Sequence, residues 1–140
     1  MPLTILIFYT RRQDVTPAHF VSYMEENHVP LIREVMGPHW PLKYTLRYVV
    51  RVDTGAGDRL GATTASRSRA NADAPVVLVG SSEDLDWDVM GEMVFRDELH
   101  LQQALALMNS PGGQRVKEDE AIFTVPDKLR VVLIGGSKDM

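Results

Sequence analysis

The arrangement of the whole chain turns on its first apolar run, Leu3-Thr4-Ile5-Leu6-Ile7-Phe8-Tyr9. Its β-branched and aromatic residues suit an extended backbone, and the polar Arg11-Arg12-Gln13-Asp14 that follows ends it, so it reads as a strand. Because successive side chains of a strand point to opposite faces, both faces of this one are apolar. Next, Thr16-Pro17 offers an N-cap hydroxyl and a proline at the first helical position, where the missing N–H costs nothing. Phe20, Met24, Leu31 and Val35 recur at helical spacing as one apolar stripe, with Glu25, Glu26 and Arg33 off it. Pro30 is expected to kink or divide that helix and Gly37-Pro38 to stop it. Lys43 to Val52 then alternates, with Tyr44, Leu46, Tyr48, Val50 and Val52 on one face and Lys43, Thr45, Arg47 and Arg51 on the other, which predicts a second strand.

Residues 53–75 carry Gly, Ala, Ser, Thr and Arg in no period, the composition of a long connection and a candidate lid over a pocket mouth. Val76-Val-Leu-Val-Gly80 suits either a short strand or a loop tucked back onto the core. Asp88 to Phe95 predicts a third strand, and Asp97 caps a helix with Leu101, Leu105 and Met108 inward. Ser110-Pro111 opens a short helix in which Val116 and Phe123 recur seven apart, and Leu129 to Gly135 is a last strand, again apolar on both faces. The order β-α-β-β-α-β, with an extra helix before the final strand, is that of an α+β, ferredoxin-like split β-α-β fold with a four-stranded antiparallel sheet, expected as one domain over residues 1–140. Helices cover one sheet face only. A bare apolar face in water is costly, so a second sheet should meet the first in a homodimeric α/β barrel enclosing apolar space.

The 140 residues have the length of one domain, and with 44% hydrophobic residues the chain is too apolar to be disordered. Fifteen Lys and Arg against nineteen Asp and Glu leave a net charge of −4, so nothing draws the molecule to nucleic acid. No cysteine is present, which excludes disulfides, thiolate metal sites and a cysteine nucleophile. No apolar run reaches the roughly 18 residues of a membrane span, and the first residues lack the basic head of a signal peptide. A cytoplasmic protein with no membrane partner is expected.

His28 follows Met24 by four positions and precedes Leu31 by three, which aims its imidazole from the edge of the buried stripe toward the sheet. Pro30 cannot donate to the Glu26 carbonyl, so the helix breaks beside the ring. The residue is either a proton-transfer group or a hydrogen-bonded core histidine. His39 lies in the turn Pro38-His39-Trp40-Pro41, where Trp40 could wall a pocket, and His19 and His100 are expected to face solvent. No H-x-x-x-H pair with a supporting carboxylate, EF-hand, phosphate loop or G-x-S-x-G elbow occurs, so neither a metal nor a cofactor is expected. Trp87-Asp88 sets a large ring and an acid at a sheet end, where Asp88 either orients or protonates a substrate or is satisfied by water or Arg47. Glu118-Asp119-Glu120 is expected to be a solvated face, since neighbouring helical positions diverge and at most one of the three can face a site. Tyr9, Tyr44 and Tyr48 suit either the core or a substrate pocket to which they would donate phenol hydrogen bonds.

Three pieces together resemble the EthD family: Phe8-Tyr9-Thr10-Arg11-Arg12 followed by Thr16-Pro17-x-x-Phe20, the tract Tyr23-Met-Glu-Glu-Asn-His28-Val-Pro30-Leu31, and Glu118-Asp119-Glu120-x-x-Phe123. Trp87-Asp88 and Met90 to Asp97 extend the resemblance to its fungal dehydratase-like branch. It implies a dimeric ferredoxin-like barrel and enzymes that dehydrate, decarboxylate or rearrange polyketide intermediates without a cofactor, often in secondary-metabolite pathways. Some members are known by association with degradation operons. The resemblance points to His28 as general acid/base with Asp88 as helper, in a cofactor-independent lyase for an aromatic or pre-aromatic polyketide. Tyr9, Trp40, Tyr44, Arg47, Tyr48 and Trp87 would contact the substrate, a tyrosine or Arg47 holding the developing oxyanion. The alternatives are a non-catalytic binder of a hydrophobic metabolite or of haem through His28, and a cofactor-free monooxygenase on the same barrel.

Overall fold

Thr16 caps the first helix as its spacing requires, its hydroxyl accepting the His19 N–H at 3.2 Å with Pro17 in the first turn. The computed structural model describes residues 1–60 and 72–140. Its principal elements are β1 (Leu3–Tyr9), α1 (Pro17–Tyr23), a π-helical turn (Met24–His28), α2 (Val29–Met36), β2 (Lys43–Tyr48), β3 (Val89–Phe95), α3 (Glu98–Met108), α4 (Pro111–Phe123) and β4 (Arg130–Ile134). The strands form one antiparallel sheet in the order β2-β3-β1-β4, the ferredoxin-like arrangement expected from the element order. Among the described residues no helix is long and apolar enough to cross a membrane.

The core lies between the helices and one sheet face. Ile5, Ile7 and Tyr9 of β1 and Val89, Met93 and Phe95 of β3 meet Phe20, Met24, Ile32, Leu101, Val116 and Phe123 from the helices. Phe20, Phe95 and Phe123 are wholly buried, at about 1.5–3 kcal/mol each, which is what seats the helices on this face. The register puts Leu6, Phe8, Met90, Val94, Val132 and Ile134 on the opposite face, where no described helix covers them.

Pro30 acts differently from the expected kink. The chain widens ahead of it: the Val29 N–H bonds to the Met24 carbonyl five residues back, and this π turn carries the proline into the first turn of α2, where no N–H is needed. β2 ends at Tyr48, short of the expected Val52, because the chain then changes partners. Val49 still donates to the Asp88 carbonyl at 3.1 Å, but Val50 accepts from Val76 at 2.7 Å and Arg51 bridges Pro75. Val76 to Gly80 therefore closes the base of the long connection and forms no strand of the sheet. Of the expected lid over 53–75, residues 61–71 lie outside the described residues.

Candidate active site

The buried residues of α4 are Gly113, Val116, Glu120 and Phe123, one stripe at helical spacing with a carboxylate on it. Glu120 faces the π turn, where its Oε2 lies 3.6 Å from His28 Nε2. Asp119, about 100° round the helix, reaches the other side of the same ring, with Oδ2 2.8 Å from His28 Nδ1. Its second oxygen accepts the Tyr23 hydroxyl at 2.5 Å. The imidazole is fully enclosed and stands edge-on to Tyr9 at 5.8 Å and to Phe123 at 5.1 Å. The acidic run is thus not a solvated face: two of its three carboxylates are turned inward, and only Glu118 is exposed. Adjacent helical positions do diverge, but an imidazole placed between them offers one nitrogen to each.

Asp119 claims the Nδ1 proton and fixes the ring's orientation. Nε2 makes no hydrogen bond, which leaves it free to exchange a proton with Glu120. Glu120 in turn forms the polar end, with Tyr9, of an apolar cavity of about 190 Å³ walled by Ile5, Ile7, Ile32, Met36, Met93 and Val116. Exposed Leu105 and Val131, with Lys117, mark its mouth at the β4 edge of the sheet. A larger basin of about 660 Å³ lies on the other sheet face between Leu6, Arg47, Met90, Glu92 and Ile134. It contains the Arg47–Glu92 ion pair at 2.9 Å, and no histidine is among its lining residues.

Two more tyrosines border the cluster. Tyr44 crosses Gly91, whose added Cβ would stand 2.9 Å from Tyr44 Cε1, so the ring lies directly on the strand backbone. Burial pushes the Tyr44 phenol up to about 12, with the Glu120 carboxylate adding to the rise and the Tyr9 phenol opposing it. Tyr9 is raised well above the ordinary phenol range, by burial first and then by Tyr44 and Glu120. Tyr48 is raised by burial and by the Glu25 carboxylate. All three keep their protons at neutral pH.

The fold thus gathers His28, Tyr9 and Tyr44, with Trp40 edge-on to Tyr44 at 5.7 Å and the Arg33 guanidinium over the indole at 4.7 Å. Asp88, Trp87 and Arg47 lie elsewhere. Asp88 Oδ2 accepts the Arg11 N–H and Oδ1 the Arg51 side chain, both at 2.6 Å, which ties off the end of the sheet. Arg51, not Arg47, is its cation, because Arg47 projects from the opposite sheet face to Glu92. Trp87 packs on Phe8 at 5.5 Å. His100 does not face solvent either: it is buried under the β3–α3 turn, where Nδ1 accepts the Arg96 N–H at 3.0 Å and Nε2 donates to the His39 carbonyl at 2.9 Å. The Asp97 cap, bonded to the His100 N–H, tucks it against Phe95. His19 is exposed.

A family model described as EthD domain matches residues 12–127. Among solved structures, an ethyl tert-butyl ether D (EthD) family protein from Bacillus halodurans aligns over 100% of both chains with a TM-score of 0.53 and 18% identity. An EthD-like protein from Ralstonia eutropha aligns with 95% of this chain and 87% of its own, at a TM-score of 0.53 and 13% identity. A point variant of SnoaB, a cofactor-independent oxygenase from Streptomyces nogalater, aligns over 99% of this chain and 96% of its own, at a TM-score of 0.53 and 14% identity. These are likenesses of fold. No curated protein sequence matches the chain.

Proposed function

Because this chain belongs to the EthD domain family, we propose that it is a cofactor-independent lyase that removes water or carbon dioxide from an aromatic or pre-aromatic carbonyl compound of polyketide type. The carrying observation is the buried row Asp119–His28–Glu120, whose last member opens on an apolar cavity. A carboxylate and an imidazole in contact can pass a proton between them, and apolar walls keep bulk water from competing for it. Glu120 takes the proton α to the substrate carbonyl. His28, behind it, shares that proton and acts as the general acid/base store, while Asp119 stabilises the imidazolium. Dehydration returns that proton to the leaving hydroxyl, which departs as water; in decarboxylation no α proton is taken, the C–C bond pair becomes the enolate as carbon dioxide leaves, and the acid–imidazole pair delivers a proton to the enolate carbon. Asp88, neutralised by Arg11 and Arg51, has no part in this scheme.

The cavity's roughly 190 Å³ falls below the 300–1,000 Å³ common for drug-sized ligands, which favours a substrate of one or two rings. Haem does not fit: His28 is enclosed, with a carboxylate against each nitrogen, and presents no open edge to iron. The open sheet face with Leu6, Phe8 and Val132 supports a homodimer of single-domain protomers, and the lack of cysteine suits a reducing cytoplasm.

The test is anaerobic incubation with a β-hydroxytetralone, which aromatises to naphthol on losing water. Naphthol fluorescence should appear, and Glu120→Gln should slow it about 10²–10⁴-fold. Failure to form naphthol at a rate above buffer would count against the dehydratase reading. A second reading, cofactor-free oxygenation, is suggested by the likeness to SnoaB and begins with the same deprotonation. It demands oxygen uptake and stops under argon.

A further inference from the structure

Lys117 and Glu120 are three positions apart on α4, and both line the apolar cavity, Glu120 buried and Lys117 exposed at its mouth. Side chains three apart share one face of a helix, so α4 sets an acid at the inner end of the cavity and a cation at the outer end. Among the described residues the Lys117 ammonium holds no carboxylate, that of Glu120 included, whereas Arg11, Arg12, Arg47, Arg51, Arg115 and Arg130 each hold one. The other lysines, Lys43, Lys128 and Lys138, hold none either, but none of them borders this cavity. Gly113 seats the helix: a Cβ there would stand 1.8 Å from the Met108 carbonyl oxygen, so α4 begins directly against the end of α3. That contact brings Lys117, one turn on, to the same cavity as Asn109, the exposed C-cap residue of α3. A few polar groups in an otherwise apolar pocket fix the direction in which a ligand lies.

We propose that Lys117 selects a substrate carrying a carboxylate at the end remote from its reacting carbon, and so decides which end of a ring system enters the cavity first. The assignment rests on Glu120 as the base proposed above and adds the charge of the molecule that base acts on. The methylene stem of a lysine lies along apolar surface while its ammonium stays in water, so the ion pair forms at the mouth and no charge has to be buried. A ligand entering the other way round would carry its carboxylate into apolar surroundings against Glu120, where like charges repel strongly. The carboxylate held at Lys117 takes no part in the bond changes at the inner end.

The probes are 2-naphthoate and 2-naphthylmethanol, one fluorescent bicyclic frame with an anionic and a neutral group. Wild-type protein at low salt should bind naphthoate about two- to five-fold more tightly than the alcohol, the range of an exposed ion pair. Raising the salt to about 1 M should erase most of that preference, because the screening length falls to about 3 Å. Lys117→Met should bind the alcohol as before and lose the preference, Lys117→Arg should keep it, and Lys117→Glu should invert it. Lys117 is exposed, so these changes leave the core as it is. Equal affinity of the wild type for the two probes, an unchanged preference in Lys117→Met, or binding of neither probe overturns the assignment. The preference is read without turnover and so separates from the base. A wild type that prefers naphthoate yet forms no naphthol from hydroxytetralone removes Glu120 and upholds Lys117; naphthol formation without the preference does the reverse.

Discussion

His28 Nε2 and Glu120 Oε2 face each other at 3.6 Å inside the protein, and the nitrogen makes no hydrogen bond. Asp119 holds the opposite nitrogen, so the ring can neither turn away nor discharge its proton elsewhere. The pair is therefore poised for exchange. His28→Gln, which keeps much of the shape but cannot titrate, should lower turnover about 10²–10⁴-fold while the protein still folds. His28→Ala should in addition destabilise, by roughly 3–5 kcal/mol, because it leaves two inward carboxylates facing a void. Wild-type turnover in the glutamine variant would reduce His28 to a packing residue.

Tyr23 supports this arrangement from behind through its bond to Asp119. Tyr23→Phe should cost about 0.5–1.5 kcal/mol of stability, the net worth of one hydrogen bond. In a double-mutant cycle with Asp119→Asn the losses should fail to add, with a coupling of about 0.5–3 kcal/mol. Strict additivity in denaturant melts would show that the two side chains act independently.

The phenols give a pH prediction. All four tyrosines of the chain, Tyr9, Tyr23, Tyr44 and Tyr48, are raised above 10, with burial the first cause in each. For Tyr23 and Tyr44 the value is about 12. Between these limits the folded chain holds protons that the unfolded chain has released. Stability should therefore be unaffected by these groups below pH 10 and fall as pH rises toward 12. Near-ultraviolet tyrosinate absorbance measured at pH 10 on the folded protein should stay far below that of the denatured chain, and equal absorbance would contradict the buried placement.

Gly91→Ala sets a methyl group 2.9 Å from the Tyr44 ring. The expected cost is about 1–3 kcal/mol, as for an overpacked core. The same change in a Tyr44→Ala background should cost far less, since the clashing ring is gone. Equal costs in thermal melts of the two backgrounds would mean that the ring does not lie on the strand.

Val132, 43% exposed, sits on the sheet face that a second copy would cover. If two sheets meet there, the wild type should sediment as a dimer burying more than ~2,000 Å². Val132→Glu should yield a folded monomer. A monomeric wild type at micromolar concentration would remove the dimer from the scheme.

Element order was legible because it depends on local signals. Thr16-Pro17 starts α1, Asp97 caps α3, and the apolar run of β1 and the alternation of β2 need nothing but neighbours along the chain. The inward aim of His28 was legible for the same reason, since its spacing from Met24 and Leu31 is a property of one helix. A sign of Glu120 was also present in the spacing Gly113, Val116, Glu120, Phe123, but a glutamate on an apolar stripe has no explanation until its partner is known. That partner, His28, is far away in the chain, 91 positions before the neighbouring Asp119. Tyr44 lying across β3 likewise needs a glycine on a different strand, 47 residues on. Periodicity says which side of an element faces inward; which two inward sides meet follows from the packing of α4 against the π turn and of a ring against a bare stretch of backbone. Those contacts come from the whole core closing at once, and no stretch of the chain carries them alone.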